Sequence, residues 1–457
     1  MSPEPPAAPC AAAPRSESRR HLRRNQLVLL GHGLLGQTGM RLINAPTLIP
    51  AYVAGLAGFD AAVGIARALQ YLGTFLSPLP AAVWLEPRRR VLPTFLLSGA
   101  LMRIQILALA LAGLWLPGPW ALAGACISLA LFGFFQGIQG VVSSVLTAKI
   151  LPVESRGLVL GVRNGLAGTF VFGVSLYAGS GLVEAGALGN GYAATFLLAF
   201  ALTSCGLAVM VLVREPDSAG LGEPGNPLRR LREVPGLLRA ERPFALYFAA
   251  RALATLGRMG VPFYVLYAQT RLPLGGQRLG LLTAVFVLTQ SAGDLVWGIL
   301  ADRRGFRAVL IAALCTWISA ALVLMGTRDF ATLLAVFAAL GAGLGGFQLG
   351  VENLVLEFGA DRDLPMRVAV SNAAGSLAAA LGSLAGGLLA SALSYLPVFW
   401  IATGFQLVAL ALLVVAVDEP RRRPGGGKRR RPGRHVAQGA TGGVADPGAT
   451  EGVRSSG

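Results

Sequence analysis

Runs of about 20 apolar residues recur along nearly all of this 457-residue chain, and their recurrence limits the fold more than any other feature. The run from 308 to 326, AVLIAALCTWISAALVLMG, carries no charge at all. As a helix it rises about 30 Å, the thickness of a bilayer's hydrocarbon core. In that core every backbone N–H and C=O must find a partner within the protein, so only helices and closed barrels cross it. The strict apolar/polar alternation of barrel strands is missing. An all-α membrane protein follows, and the low charged fraction, 13% against 54% hydrophobic, agrees with it.

Apolar length, punctuated by glycine, proline and charge, gives twelve transmembrane helices at approximately 27–48, 61–85, 91–116, 120–147, 158–182, 193–213, 243–268, 279–301, 308–326, 330–356, 367–391 and 395–417. The longest polar break falls at 214–242 and divides them six and six. The domain plan is then a basic tail (1–25), an N-terminal six-helix bundle (26–213), a linker (214–242), a C-terminal six-helix bundle (243–417) and a second basic tail (418–457). Its proline, glycine and arginine predict disorder in that last segment.

The net charge of +17 would suggest nucleic acid in a soluble protein. Here the arginines collect in the tails and in alternate loops: RRHLRR at 19–24, PRRR at 87–90 and Arg303 to Arg307. Positive loops stay in the cytoplasm. Both termini and the linker are therefore expected inside a multi-pass protein of the plasma membrane, with no nucleic-acid partner. Cys10, Cys126, Cys205 and Cys315 lie far apart, only three histidines occur, and the Walker, HExxH and GxSxG patterns are missing. We expect no cofactor, no metal site and no catalytic residues, hence no enzyme.

The halves repeat one another. GIQGVVSSVLTAKILPVESRGLVLGVRNGLAG (137–168) lines up with GFQLGVENLVLEFGADRDLPMRVAVSNAAG (346–375), setting Gln139 on Gln348 and Asn164 on Asn372. LEPRRR (85–90) stands opposite LADRRGFR (300–307), and GMRL (39–42) opposite GRMG (257–260). Three matches in order, each at the same ordinal span, indicate an internal duplication with a site between the halves.

Gly298, Asp302, Arg303, Gly305 and Arg307 fit a G-x-x-x-D-R-x-G-x-R pattern, and on these residues the sequence resembles the major facilitator superfamily over about residues 26–417. The resemblance implies two pseudo-symmetric six-helix bundles around a central cavity and places the motif as a gate on the cytoplasmic side. The first copy keeps Glu86 and a basic run ending at Arg90 but has lost both glycines. In the intact copy, Gly298 is expected to let helices approach and Asp302 to pair across helix ends as a latch.

Ionisable groups inside the bilayer are functional by default. Arg251 and Asp294 have matching depths in spans 7 and 8, and we expect them to pair. Arg41 and Arg258 are repeat equivalents in the first helix of each half; with Arg103, and with Gln139 and Gln348, they are expected to line a positive substrate cavity. The bland alternative is that some arginines snorkel or cap carbonyls. Glu352 shares a face with Gln348 and, with Asp294, is the candidate for proton coupling. The function that follows is secondary active transport of a small organic solute, read as proton-coupled efflux by a monomer in the bilayer, with rocking bundles giving alternating access. The competing reading is a non-transporting sensor or assembly protein that retains this fold.

Overall fold

The structure, a computed structural model, describes residues 21–77, 81, 85, 88–216, 242–357 and 364–417. The description below covers these residues; the tails, the middle of the linker and Glu86 lie outside it.

The twelve expected spans are present as helices; most boundaries move by a few residues, and span 1 runs nine residues further than expected, to Ala57. Spans 3 to 6 are Leu92–Trp115, Gly118–Ile150, Val153–Tyr177 with a π-helical continuation Ala178–Glu184, and Gly191–Met210. Spans 8 to 12 are Gly276–Arg304, Phe306–Gly326, Phe330–Leu354, Leu364–Ala392 and Tyr395–Val415. Nine helices among the described residues are long and apolar enough to cross a membrane, and these are spans 3 to 6 and 8 to 12.

Spans 1 and 7 fall short because both are broken. Span 1 runs Leu22–His32, a π turn Gly33–Gln37, Thr38–Asn44 and then Leu48–Ala57. The break sits at Pro46, which drives Ala45 out of helical geometry to φ −56°, ψ 143°. Span 7 runs Arg242–Leu256, a 3₁₀ segment Gly257–Phe263 containing Pro262, and Tyr264–Arg271. Proline lacks the N–H that an α-helix interior needs. Pro46 and Pro262 stand 216 residues apart, close to the offset of Arg41 and Arg258, so the first helix of each half is interrupted at the same place. Span 2 is described as Ala61–Leu76.

Each crossing reverses direction, so the loops after spans 1, 5, 7 and 11 lie at the end of the molecule opposite both termini. The halves meet there. Span 2 packs on span 11 so closely that a Cβ on Gly64 would stand 2.6 Å from the Gly387 Cα, and span 5 packs on span 8 so that one on Gly179 would stand 2.5 Å from the Gly280 Cα. These two contacts are exchanged by the internal repeat, which relates span 2 to 8 and 5 to 11. Tyr395 donates to Asp60 at 2.7 Å, and the Ala61 N–H donates to Ser391 at 2.7 Å. At the end bearing the termini, no hydrogen bond or ion pair between described residues joins the halves. Among the described residues, these contacts between the halves gather at the end opposite the termini.

Candidate functional site: the cavity between the halves

Two arginines cross the closed end of the cavity. Arg41, half-buried on span 1, donates to the Ser291 hydroxyl of span 8. Its repeat equivalent Arg258, on span 7, donates to the Tyr71 hydroxyl of span 2 at 3.3 Å and lies 5.7 Å from that ring's centroid. Span 1 reaching 8 and span 7 reaching 2 are the same contact seen from either half.

Deeper toward the open end, each wall carries an arginine beside an asparagine. On the C-terminal wall Arg251 donates to Ser371 and, at 2.9 Å, to Asn372, both on span 11. On the N-terminal wall Arg163 of span 5 donates to its neighbour Asn164 at 3.2 Å. Asn164 and Asn372 are repeat equivalents, but the arginines are not: one comes from span 5 and the other from span 7. Arg163 rests on the π turn of span 1, where a Cβ on Gly33 would stand 1.9 Å from its side chain. Only glycine leaves room for that stem, and π turns of this kind often mark functional sites.

Ionisable side chains of both signs stand on the spans that meet between the halves: Arg41 and Arg163 on spans 1 and 5, Arg251, Asp294 and Glu352 on spans 7, 8 and 10. Both acids belong to the C-terminal half. Gln348 donates to Glu352 at 3.3 Å, as one helix face requires of residues four apart. The expected Arg251–Asp294 pair does not form, because Arg251 turns to span 11 while Asp294 faces the N-terminal half and Arg41.

Two other residues expected in the cavity lie elsewhere. Arg103, 3% exposed, donates to the Thr203 carbonyl at 2.6 Å and the Gly99 carbonyl at 2.7 Å, which ties span 3 to span 6 inside the N-terminal bundle. Gln139 accepts from Ser98 at 2.5 Å in the same interior and does not share the setting of Gln348. Arg67 is of the same kind as Arg103, donating to the Ala45 carbonyl at 3.3 Å where proline interrupts span 1.

The motif lies at the open end. Gly305, at φ +88°, ends span 8 in a conformation that L side chains resist, and its N–H bonds to the Ala301 carbonyl at 2.8 Å. Arg307 donates to the Leu413 and Val414 carbonyls at 2.9 and 2.8 Å and so caps the last turn of span 12. Asp302 and Arg303 are exposed, with no partner among the described residues. Nothing lies within 4 Å of a Cβ on Gly298, so this glycine is not at a close helix contact here. In the first copy Arg90 is exposed. Nearby, Glu215 just after span 6 accepts from the Val91 and Leu92 N–H groups at 2.8 Å each and pairs with Lys149 at 3.1 Å. A carboxylate thus caps span 3 from the start of the linker.

Sequence reasoning missed Arg163, Tyr71, Ser291 and Ser371. The aligned asparagines were the available signal for Arg163, since it adjoins one of them.

The family model described as Major Facilitator Superfamily matches residues 247–443, the half that holds the intact motif. The crystal structure of the nucleoside transporter NupG superposes with a TM-score of 0.65 over 86% of this chain and 99% of that one, at 11% identity. That of a D-xylose-proton symporter gives 0.66 over 87% and 98%, at 14%. Residues 247–443 thus match the superfamily model, and the chain as a whole has the fold of these transporters. Among other superfamily structures, the inward-open xylose transporter XylE of E. coli superposes at 0.65, with 87% of this chain and 97% of that one covered at 14% identity. In sequence, the chain is 32% identical over 164 residues to the multidrug resistance protein MdtG of Serratia proteamaculans (strain 568), and 28% identical over 163 residues to MdtG of Rahnella sp. (strain Y9602). Each match spans 35% of this chain and 39% of the relative.

Proposed function

We propose that this protein is a secondary active transporter that exports a small organic solute across the cell membrane in exchange for protons. The observation that carries the reading is the one-sided joining of the halves: matched contacts at one end, no hydrogen bond between described residues at the other, and ionisable side chains between them inside the bilayer. With positive loops inside, the open end faces the cytoplasm, the side from which an exporter loads. Resemblance to multidrug resistance proteins supports export, and a proton-coupled symporter of the same fold supports proton coupling. Asp294 and Glu352 are the coupling carboxyls, since carboxyl groups inside a membrane are the natural carriers of a coupled proton. The intact motif acts in the other state: when the open end shuts, Asp302 and Arg303 meet the opposite half.

The test is proton release from inside-out membrane vesicles energised by respiration. Adding organic anions, sugars or lipophilic cations should partly collapse the pH gradient for at least one class, and Asp294→Asn should abolish that response. A gradient untouched by every class refutes exchange.

A further inference from the structure

The two walls of the cavity differ in sign at the level where a solute would sit. Arg41 and Arg163 lie on the packed spans 1 and 5, Arg163 against Gly33 of span 1 and Arg41 beside Gly168 of span 5, and neither has a carboxylate within ion-pair distance among the described residues. Among those residues Arg41 gives one hydrogen bond, to Ser291, and Arg163 bonds to its own neighbour Asn164. A guanidinium carries five N–H donors in a fixed fork suited to a carboxylate or phosphate, so most of their donors remain for a ligand. Asp294, one turn beyond Ser291 on span 8, faces Arg41 from beyond ion-pair distance and leaves these donors free for a ligand's acidic group.

Across the cavity the C-terminal wall holds Asp294 and Glu352. The only hydrogen bond to either among the described residues is the one from Gln348 to Glu352. Arg251 of span 7 is already occupied by Ser371 and Asn372, and Arg258 reaches across to Tyr71 of the other half. The wall therefore offers acceptors to a donor-bearing cation.

From this layout we infer an amphoteric substrate: a small molecule whose acidic group lies on Arg41 and Arg163 and whose protonated amine lies on Asp294 and Glu352. The inference rests on the transport reading of the cavity and deepens it. A ligand with both charges bridges the halves, so it binds best when they close around it. That differential affinity is what a ligand needs in order to shift the balance between two states. A single-charge ligand engages one wall and leaves the other uncompensated.

A matched trio tests it: Nα-dansyl-lysine, which has a free carboxylate and a free ammonium; its methyl ester, which keeps only the cation; and its Nε-acetyl derivative, which keeps only the anion. Binding is read as dansyl emission on titration into the purified full-length protein in detergent. The amphoteric compound should bind roughly tenfold or more tighter than either partner, one charge-assisted contact being worth about that factor. Arg163→Gln should bring it down to the ester's affinity while leaving the ester unchanged, and Asp294→Asn should bring it down to that of the acetyl derivative. Equal binding by all three, or binding by none, overturns the inference. Should Arg163→Gln fold poorly, Asn164→Cys in a background lacking the native cysteines gives an independent reading. It should react faster with an anionic than with a cationic methanethiosulfonate, and the reverse order overturns the positive wall. Neither measurement requires transport. Selective binding without solute movement refutes the transport reading alone, and solute-driven proton exchange without selectivity refutes the amphoteric subsite alone.

Discussion

The interior of the N-terminal bundle and the wall that bundle turns to the cavity both hold arginines within the membrane, and they use them in opposite ways. In the interior, Arg103 and Arg67 are almost fully enclosed and donate to backbone carbonyls, Arg67 to one freed where proline interrupts span 1. On the wall, Arg41 and Arg163 are half-buried and mostly unpartnered among the described residues. The first kind repairs the fold. The second kind departs from what stability alone would select, and such departures gather at functional sites.

The comparison breaks if the two kinds respond alike to mutation. Arg103→Ala should be the most damaging change, because it removes the tie between spans 3 and 6 and leaves a void where a 3%-exposed side chain stood. The cost is about 2–5 kcal/mol, read as a large fall in Tm and in folded yield. Arg163→Ala removes no donor that a carbonyl depends on. Thermal unfolding should change by less than about 1 kcal/mol, with solute-driven proton exchange lost. A fall in stability matching that of Arg103→Ala would erase the distinction.

The two ends of the molecule extend the contrast. Gly64→Val thrusts a side chain into the span 11 backbone, an overpacking worth about 1–3 kcal/mol against the closed end. Solvent access at that end should rise, as read by labelling of Phe59→Cys in the Gly64→Val background. Glu215→Gln at the open end removes the pair with Lys149 and weakens the cap of span 3, costing about 1–2 kcal/mol with no effect on which end is open. Asp302→Asn should be smallest. This exposed carboxylate has no partner among the described residues, so stability should move by less than about 0.5 kcal/mol, while turnover slows because the shut state loses its contact.

Much of this was legible beforehand. Apolar length is a strong signal because the bilayer sets it, and the repeat in GMRL and GRMG set Arg41 opposite Arg258, which bond across the halves to Ser291 and Tyr71. The partners were not legible. Depth alone placed Arg251 beside Asp294, whereas helix rotation turns Arg251 to Ser371 on span 11. Arg103 read as a cavity residue because sequence does not say whether a charge at mid-membrane faces the lumen or a neighbouring carbonyl. Arg163 was overlooked since its counterpart by alignment is Ser371, and the matching arginine in the other half comes from span 7. A duplication that keeps a charge in place while changing the helix that supplies it leaves no trace in an alignment of the halves.

Alternating access is tested most directly by distance distributions between spin labels in full-length protein in lipid. One pair spans the open end, Ala148→Cys with Leu356→Cys, and the other the closed end, Phe59→Cys with Leu393→Cys. Across acidic and neutral buffers and with Nα-dansyl-lysine present, two populations should exchange in opposite senses, the open-end distance shortening as the closed-end distance lengthens. Distances that stay single under every condition, or that lengthen and shorten together, would contradict a cavity that opens to each side in turn.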